Sequence, residues 1–164
     1  MSEHNEFLSS FGLHTAIQPH DATGAASNGA WMSLKNAEDV TFVVSKGAWA
    51  GGTPAVTIEQ AQAIAGTNPK AVAFTQAWTK AATAGATWQP VVVTANTFNL
   101  LAAPNTMVAV TISAQQLDKN NDYTCLRMVI GTPGTNADLV SVLAIFRNER
   151  YQDYPSNLDS HLVD

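Results

Sequence analysis

The chain has 164 residues, of which 46% are apolar and only 13% charged, and it carries a net charge of -5. That length fits one domain, and the apolar content excludes a disordered chain, because enough surface is buried to offset ordering entropy. The acidic balance argues against direct contact with nucleic acid or an anionic membrane, and no apolar run reaches the roughly 20 residues that span a bilayer.

Residues 1–10 are polar and read as a flexible N-terminal segment. They lack the basic-then-apolar order of a signal peptide, which predicts synthesis in a cytoplasm. Alternation with period two then recurs along the chain. Residues 12–18 and 30–34 are strand candidates, with Asn28-Gly29 between them as a hairpin-type turn pair. In residues 39–46, Val40, Phe42 and Val44 should face inward while Asp39, Thr41 and Ser45 face out. Gly47-Ala48-Trp49-Ala50-Gly51-Gly52 lacks the Gly-Lys-Ser/Thr of a phosphate loop and reads as a mobile loop presenting Trp49.

Residues 55–65 suit a helix by their Ala and Gln content and a strand by the alternation of Val56, Ile58, Gln60 and Gln62; the strand is favoured. Weaker strand candidates cover 70–80, 88–94 and 97–101. Residues 107–112 turn Val108, Val110 and Ile112 inward. Ser113 is an N-cap residue before Ala114-Gln115-Gln116, which predicts one helical turn, and a polar loop follows over 118–122. In 123–130, Leu126, Met128 and Ile130 should face the core and Arg127 the other side. Thr132-Pro133-Gly134 suits a turn with glycine third. Residues 138–146 are apolar on both faces apart from Ser141, the pattern of a strand covered on both sides or facing another subunit. Roughly ten strands with frequent turn signals predict an all-β, single-domain antiparallel sandwich over 11–150. The tail, 151–164, lacks periodicity but keeps Tyr151, Tyr154, Leu158, Leu162 and Val163, and is expected to lie as an extended arm on another surface.

The residues that could carry chemistry form no recognised constellation. The single cysteine, Cys125, excludes an internal disulfide and a multi-cysteine metal site, and its apolar neighbours make it a buried hydrophobe rather than a nucleophile. His14, His20 and Asp21 could in principle bind a metal, but their spacing matches no standard motif, so no metal is expected. Glu38, Asp39, Asp118, Asp122 and Asp138 read as turn formers and solvated charges. Of the four tryptophans, Trp31, Trp78 and Trp88 are expected to fill the core, leaving Trp49 exposed. A row of exposed rings would instead favour sugar stacking. The reading is of a non-enzymatic protein without a cofactor.

The order of segments resembles a family of small proteins from tailed phages and prophages. The similarity runs from Leu13-His14-Thr15-Ala16-Ile17-Gln18-Pro19 through Trp31-Met32-Ser33-Leu34-Lys35-Asn36 and Val56-Thr57-Ile58-Glu59-Gln60-Ala61. It continues through Gly66-Thr67 and Lys70-Ala71-Val72-Ala73-Phe74-Thr75 with Trp78. It ends with Leu117-Asp118, Tyr123-Thr124-Cys125-Leu126-Arg127, Thr132-Pro133-Gly134 and Tyr151-Gln152-Asp153-Tyr154-Pro155. The resemblance implies a head decoration, or cement, protein with a jelly-roll-like sandwich that binds the outside of a capsid, often as a trimer. The implied partners are the major capsid protein and sister subunits, and the implied location is the virion exterior. The expected contact residues are Trp49, Leu139, Leu143, Ile145, Tyr151, Tyr154, Leu158, Leu162 and Val163. A tail or neck structural protein and a carbohydrate- or receptor-binding module are the alternatives.

Overall fold

The alternating segments form strands in the computed structural model, which describes residues 11–147. In chain order they are β1 (Phe11–Asp21), β2 (Ser27–Asn28), β3 (Met32–Ser33), β4 (Asp39–Trp49), β5 (Ala55–Ala61) and β6 (Lys70–Ala71). Then follow β7 (Ala77–Ala81), β8 (Gln89–Val91), β9 (Thr97–Asn99), β10 (Thr106–Ser113), β11 (Cys125–Ile130) and β12 (Asp138–Arg147). The expectations for 1–10 and for the arm at 151–164, with Tyr151, Tyr154, Leu158, Leu162 and Val163, lie outside the described residues.

Two antiparallel sheets make the sandwich. One, sheet A, runs β1-β12-β4-β10-β7-β8; the other, sheet B, runs β2-β11-β5-β6, with β3 also on β11 and β9 also on β5. The order becomes simpler when β2 and β3 are taken as one interrupted strand and β7 to β9 as an insertion. The eight strands that remain lie first-eighth-third-sixth in sheet A and second-seventh-fourth-fifth in sheet B. That is jelly-roll order, two interlocked Greek keys.

The inward sets are those the alternation predicts. Val40, Phe42 and Val44 of β4, Val108, Val110 and Ile112 of β10, and Val142 and Phe146 of β12 are buried from sheet A. Val56 and Ile58 of β5 and Leu126, Met128 and Ile130 of β11 meet them from sheet B. Each such large side chain contributes roughly 1.5–3 kcal/mol by leaving water. Residues 55–61 are strand, not helix, because both β11 and β9 take up their backbone groups. Ser113 caps the 3-10 turn Ala114–Gln116 as expected: its Oγ accepts from Gln115 N at 3.2 Å, and Gln116 Oε1 accepts from Ser113 N at 2.8 Å.

Three local expectations need correction. Asn28-Gly29 makes no hairpin turn; it is the break between β2 and β3, which pair with the same strand β11. Glycine is needed there because a Cβ would stand 2.8 Å from Met128 O. The candidate at 70–80 is two strands in different sheets, since β6 joins β5 while β7 joins β10. Residues 47–52 are not a loop that presents Trp49, because β4 continues through Trp49 and the turn beyond it is tightly packed. Gly52 has φ +83°, and a Cβ there would meet Pro133 O at 2.2 Å. Gly52→Ala is therefore expected to cost more than about 2 kcal/mol, read from urea unfolding curves; a change below roughly 0.5 kcal/mol would show that this turn is not held as described.

Candidate functional site

The two outer faces of the sandwich differ in chemistry. On sheet B, Arg127 of β11 stands opposite Glu59 of β5 and donates to its carboxylate at 2.8 Å, while its guanidinium lies 4.6 Å from the Trp31 ring. Half-buried Thr57 and Val129 continue that face. Charge and aromatic surface are already satisfied there within the chain.

The outer face of sheet A is uncharged at its centre and carries an apolar patch on β1, β12 and β4, among small hydroxyl residues. Strand registers place one row straight across all six strands: Thr15, Leu143, Val43, Ala109, Trp78 and Pro90. The neighbouring row holds Leu13, Ile145, Thr41 and Thr111, and a third holds Ser141, Ser45, Met107 and Lys80. Six strands at about 4.8 Å spacing make this face about 24 Å wide. The predicted two-faced character of 138–146 is realised, with Val140, Val142, Ala144 and Phe146 buried and Leu139 and Leu143 exposed. Ile145 is half-buried on the same outer side.

Charges on this face sit at its borders. Arg147, at one end of β12, bonds Asp39 of β4 through Nε at 3.0 Å and through Nη2. Those hydrogen bonds and the adjacent negative charge raise the Arg147 pKa further. Lys80 lies 5.7 Å above the Trp88 ring at the opposite border. Both edge strands of sheet A are interrupted. β1 is broken by irregular register around Ile17 and carries Pro19, and β8 carries Pro90, which has no N–H to donate.

Trp49 is not on this surface. It is only 8% exposed, donates its indole N–H to Gly52 O at 3.1 Å, and has Lys46 Nζ 4.0 Å over its ring. Trp78 and Trp88, expected in the core, are 43% and 42% exposed. The reason lies in the register: Trp78 falls in the outer row with Ala109 and Pro90, while its neighbour Ala77 and the paired Val91 take the side that packs on the core. Trp31 is half-buried beneath Gly66 and Arg127, outside the core.

Of the carboxylates expected to be solvated, Glu38 and Asp122 are exposed and Asp118 is half-buried, whereas Asp39 and Asp138 are buried. Asp138 is fully buried: its Oδ1 accepts from Ala50 N at 2.7 Å and Gly51 N at 3.3 Å, and its Oδ2 has no partner. Its own N–H donates to Asp21 Oδ1 at 2.9 Å. Hydrogen bonds from the Thr23 hydroxyl, then the Asp138 and Thr23 backbone, hold the Asp21 carboxyl below its usual range. Lys46, 3% exposed, shares this region and donates to Leu101 O. Burial lowers its pKa to about 8, against the opposing pull of Asp138. Period two continues from Val40, Phe42 and Val44 to put Lys46 inward, but nothing local to β4 shows that Asp138 shares its surroundings.

The remaining candidates stay apart. His14 packs edge-on against Phe146 at 5.8 Å, whereas His20 bonds Gln18 O and Ser27 Oγ, each at 2.8 Å. No group of three or more His, Cys, Asp or Glu placed to hold a metal occurs among the described residues. Cys125 is buried on β11.

No family model matches the sequence, and no curated protein does. Among solved structures the chain is similar to the crystal structure of the SPBc2 prophage-derived protein YomS, with a TM-score of 0.43 and 10% identity. The alignment covers 83% of this chain and 91% of that one.

Proposed function

We propose that this chain is a non-enzymatic structural protein of a phage particle, which binds the outer surface of the capsid and braces the shell. The observation that carries the reading is the uncovered apolar face of sheet A around Leu13, Val43, Leu139, Leu143 and Ile145. Contiguous apolar surface of this kind marks a protein contact, and depletion of charge at its centre is the composition of an interface core. The resemblance in segment order and the jelly-roll sandwich are consistent with it. Sister subunits, in a trimer, and the major capsid protein are the proposed partners. Many copies, each adding a modest interface, would stabilise a shell through multivalency.

Quantitative mass spectrometry of density-purified virions tests this directly. Hundreds of copies in a simple ratio to the shell subunit are expected. A handful would relocate the protein to the neck or tail, and absence from the particle would end the virion reading.

A further inference from the structure

The β7–β8 hairpin lies on the outer face of sheet A at the end away from Leu139, Leu143 and Ile145. Residues 72–105 are inserted between the fifth and sixth strands of the jelly roll, and they contribute Trp78, Trp88, Val92 and Leu101 to the exposed large hydrophobics. Cross-strand register puts Trp78 opposite Pro90 and ends with Thr79 opposite Gln89, and Lys80 Nζ lies 5.7 Å over the ring of Trp88, which immediately precedes β8. Trp78 and Lys80 both stand on the outer face of sheet A, and the Lys80 contact brings the Trp88 ring beside them. The backbone of Trp78 and Lys80 is held in the ladder, with β7 hydrogen-bonded to β10 on its other side.

We propose that Trp78, Lys80, Trp88 and Pro90 form a platform that binds a glycan chain. The indole faces stack on sugar rings, and the Lys80 ammonium donates to a ring hydroxyl or carboxylate. Lys80 has no ion-pair partner among the described residues, and its position beside Trp88 favours an acidic sugar. Ser45 lies in the same row as Lys80, across Met107, and offers a hydroxyl toward the sheet centre. The surroundings favour a glycan over a protein. A protein hot spot needs a rim of side chains that keeps water out, whereas the hairpin tip, Ala82-Thr83-Ala84-Gly85-Ala86-Thr87, offers only small side chains. A glycan is served by flat open rings with one or two polar groups beside them.

The test titrates the full-length protein with a hexamer of galacturonic acid and with cellohexaose, following tryptophan fluorescence. A saturable change is expected with both sugars, tighter for the acidic one. Trp78→Ala and Trp88→Ala should each weaken binding by about tenfold, the scale of one stacked ring. Lys80→Gln should abolish the preference for the acidic hexamer while leaving cellohexaose binding intact. Both tryptophans are exposed, so unchanged thermal melts will show that the variants fold. No saturable change with either hexamer up to millimolar concentration overturns the proposal. So does a change in sedimentation of the Trp88→Ala variant without any sugar response, which would make this face a contact between protein chains. No shell is present in the titration, so its outcome is independent of whether the protein decorates capsids.

Discussion

Leu143→Glu should leave the protein folded and reduce its binding to shells by about a hundredfold. Leu143 stands in the row between Thr15 and Val43, exposed although its strand is second from the sheet edge. Its backbone groups are paired on both sides, so the side chain is free to change without loss of the ladder. A carboxylate placed there must be desolvated when the face docks, at a cost of about 3 kcal/mol, and each 1.4 kcal/mol is a factor of ten. In the free protein the same substitution is a surface change, within roughly 0.5 kcal/mol. Thr57→Glu, on the outer face of sheet B, is the control that should bind as the unaltered protein does. Co-sedimentation with shells that lack the protein, alongside thermal melts, gives both quantities. Equal binding by Leu143→Glu and the unaltered chain would remove the sheet A face from the mechanism. Loss of binding by Thr57→Glu alone would transfer the docking role to sheet B.

The contrast between those two faces explains what could be seen in the sequence. Period-two alternation marks which side chains enter a core, and it located the inward residues of β4, β10, β11 and β12. It also showed that β12 is apolar on both sides, because Leu139, Leu143 and Ile145 interleave with Val140, Val142, Ala144 and Phe146. Alternation does not say which strand lies opposite. Trp78 looks like a core residue until the register of β7 with β10 and β8 gives the inward side to Ala77 and Val91 and turns the indole outward. Trp49 looks exposed because glycines surround it, yet Gly51 packs against Asn136 and Gly52 against Pro133, and the Gly52 carbonyl takes the indole N–H. The pairing of Asp39 with Arg147, 108 residues away, is likewise set by the register of β4 with β12. These are long-range consequences of strand order, and local sequence carries no record of them.

The buried lysine should make stability depend on alkaline pH in a direction unusual for a small acidic protein. Lys46 has an ordinary pKa of 10.5 that burial lowers to about 8, so the folded chain releases this proton more readily than the unfolded chain. Between those two values the unfolded state binds more protons, and stability rises with pH. The shift corresponds to about 3 kcal/mol, absent below pH 8 and fully gained above 10.5. Lys46→Met removes the titrating group and keeps the length of the side chain against Trp49. Its stability relative to the unaltered protein should fall by about 3 kcal/mol between pH 7 and pH 11, read from urea unfolding at each pH. Asp138 provides the second half of the test, since its charge counteracts the loss of the lysine proton. Asp138→Asn should lower the Lys46 pKa further and start the rise in stability below pH 8. It should also destabilise the fold at pH 7, because the amide in place of the carboxylate weakens the bonds to Ala50 N and Gly51 N. A difference between Lys46→Met and the unaltered chain that stays constant from pH 7 to 11 would mean that Lys46 titrates as an exposed lysine does.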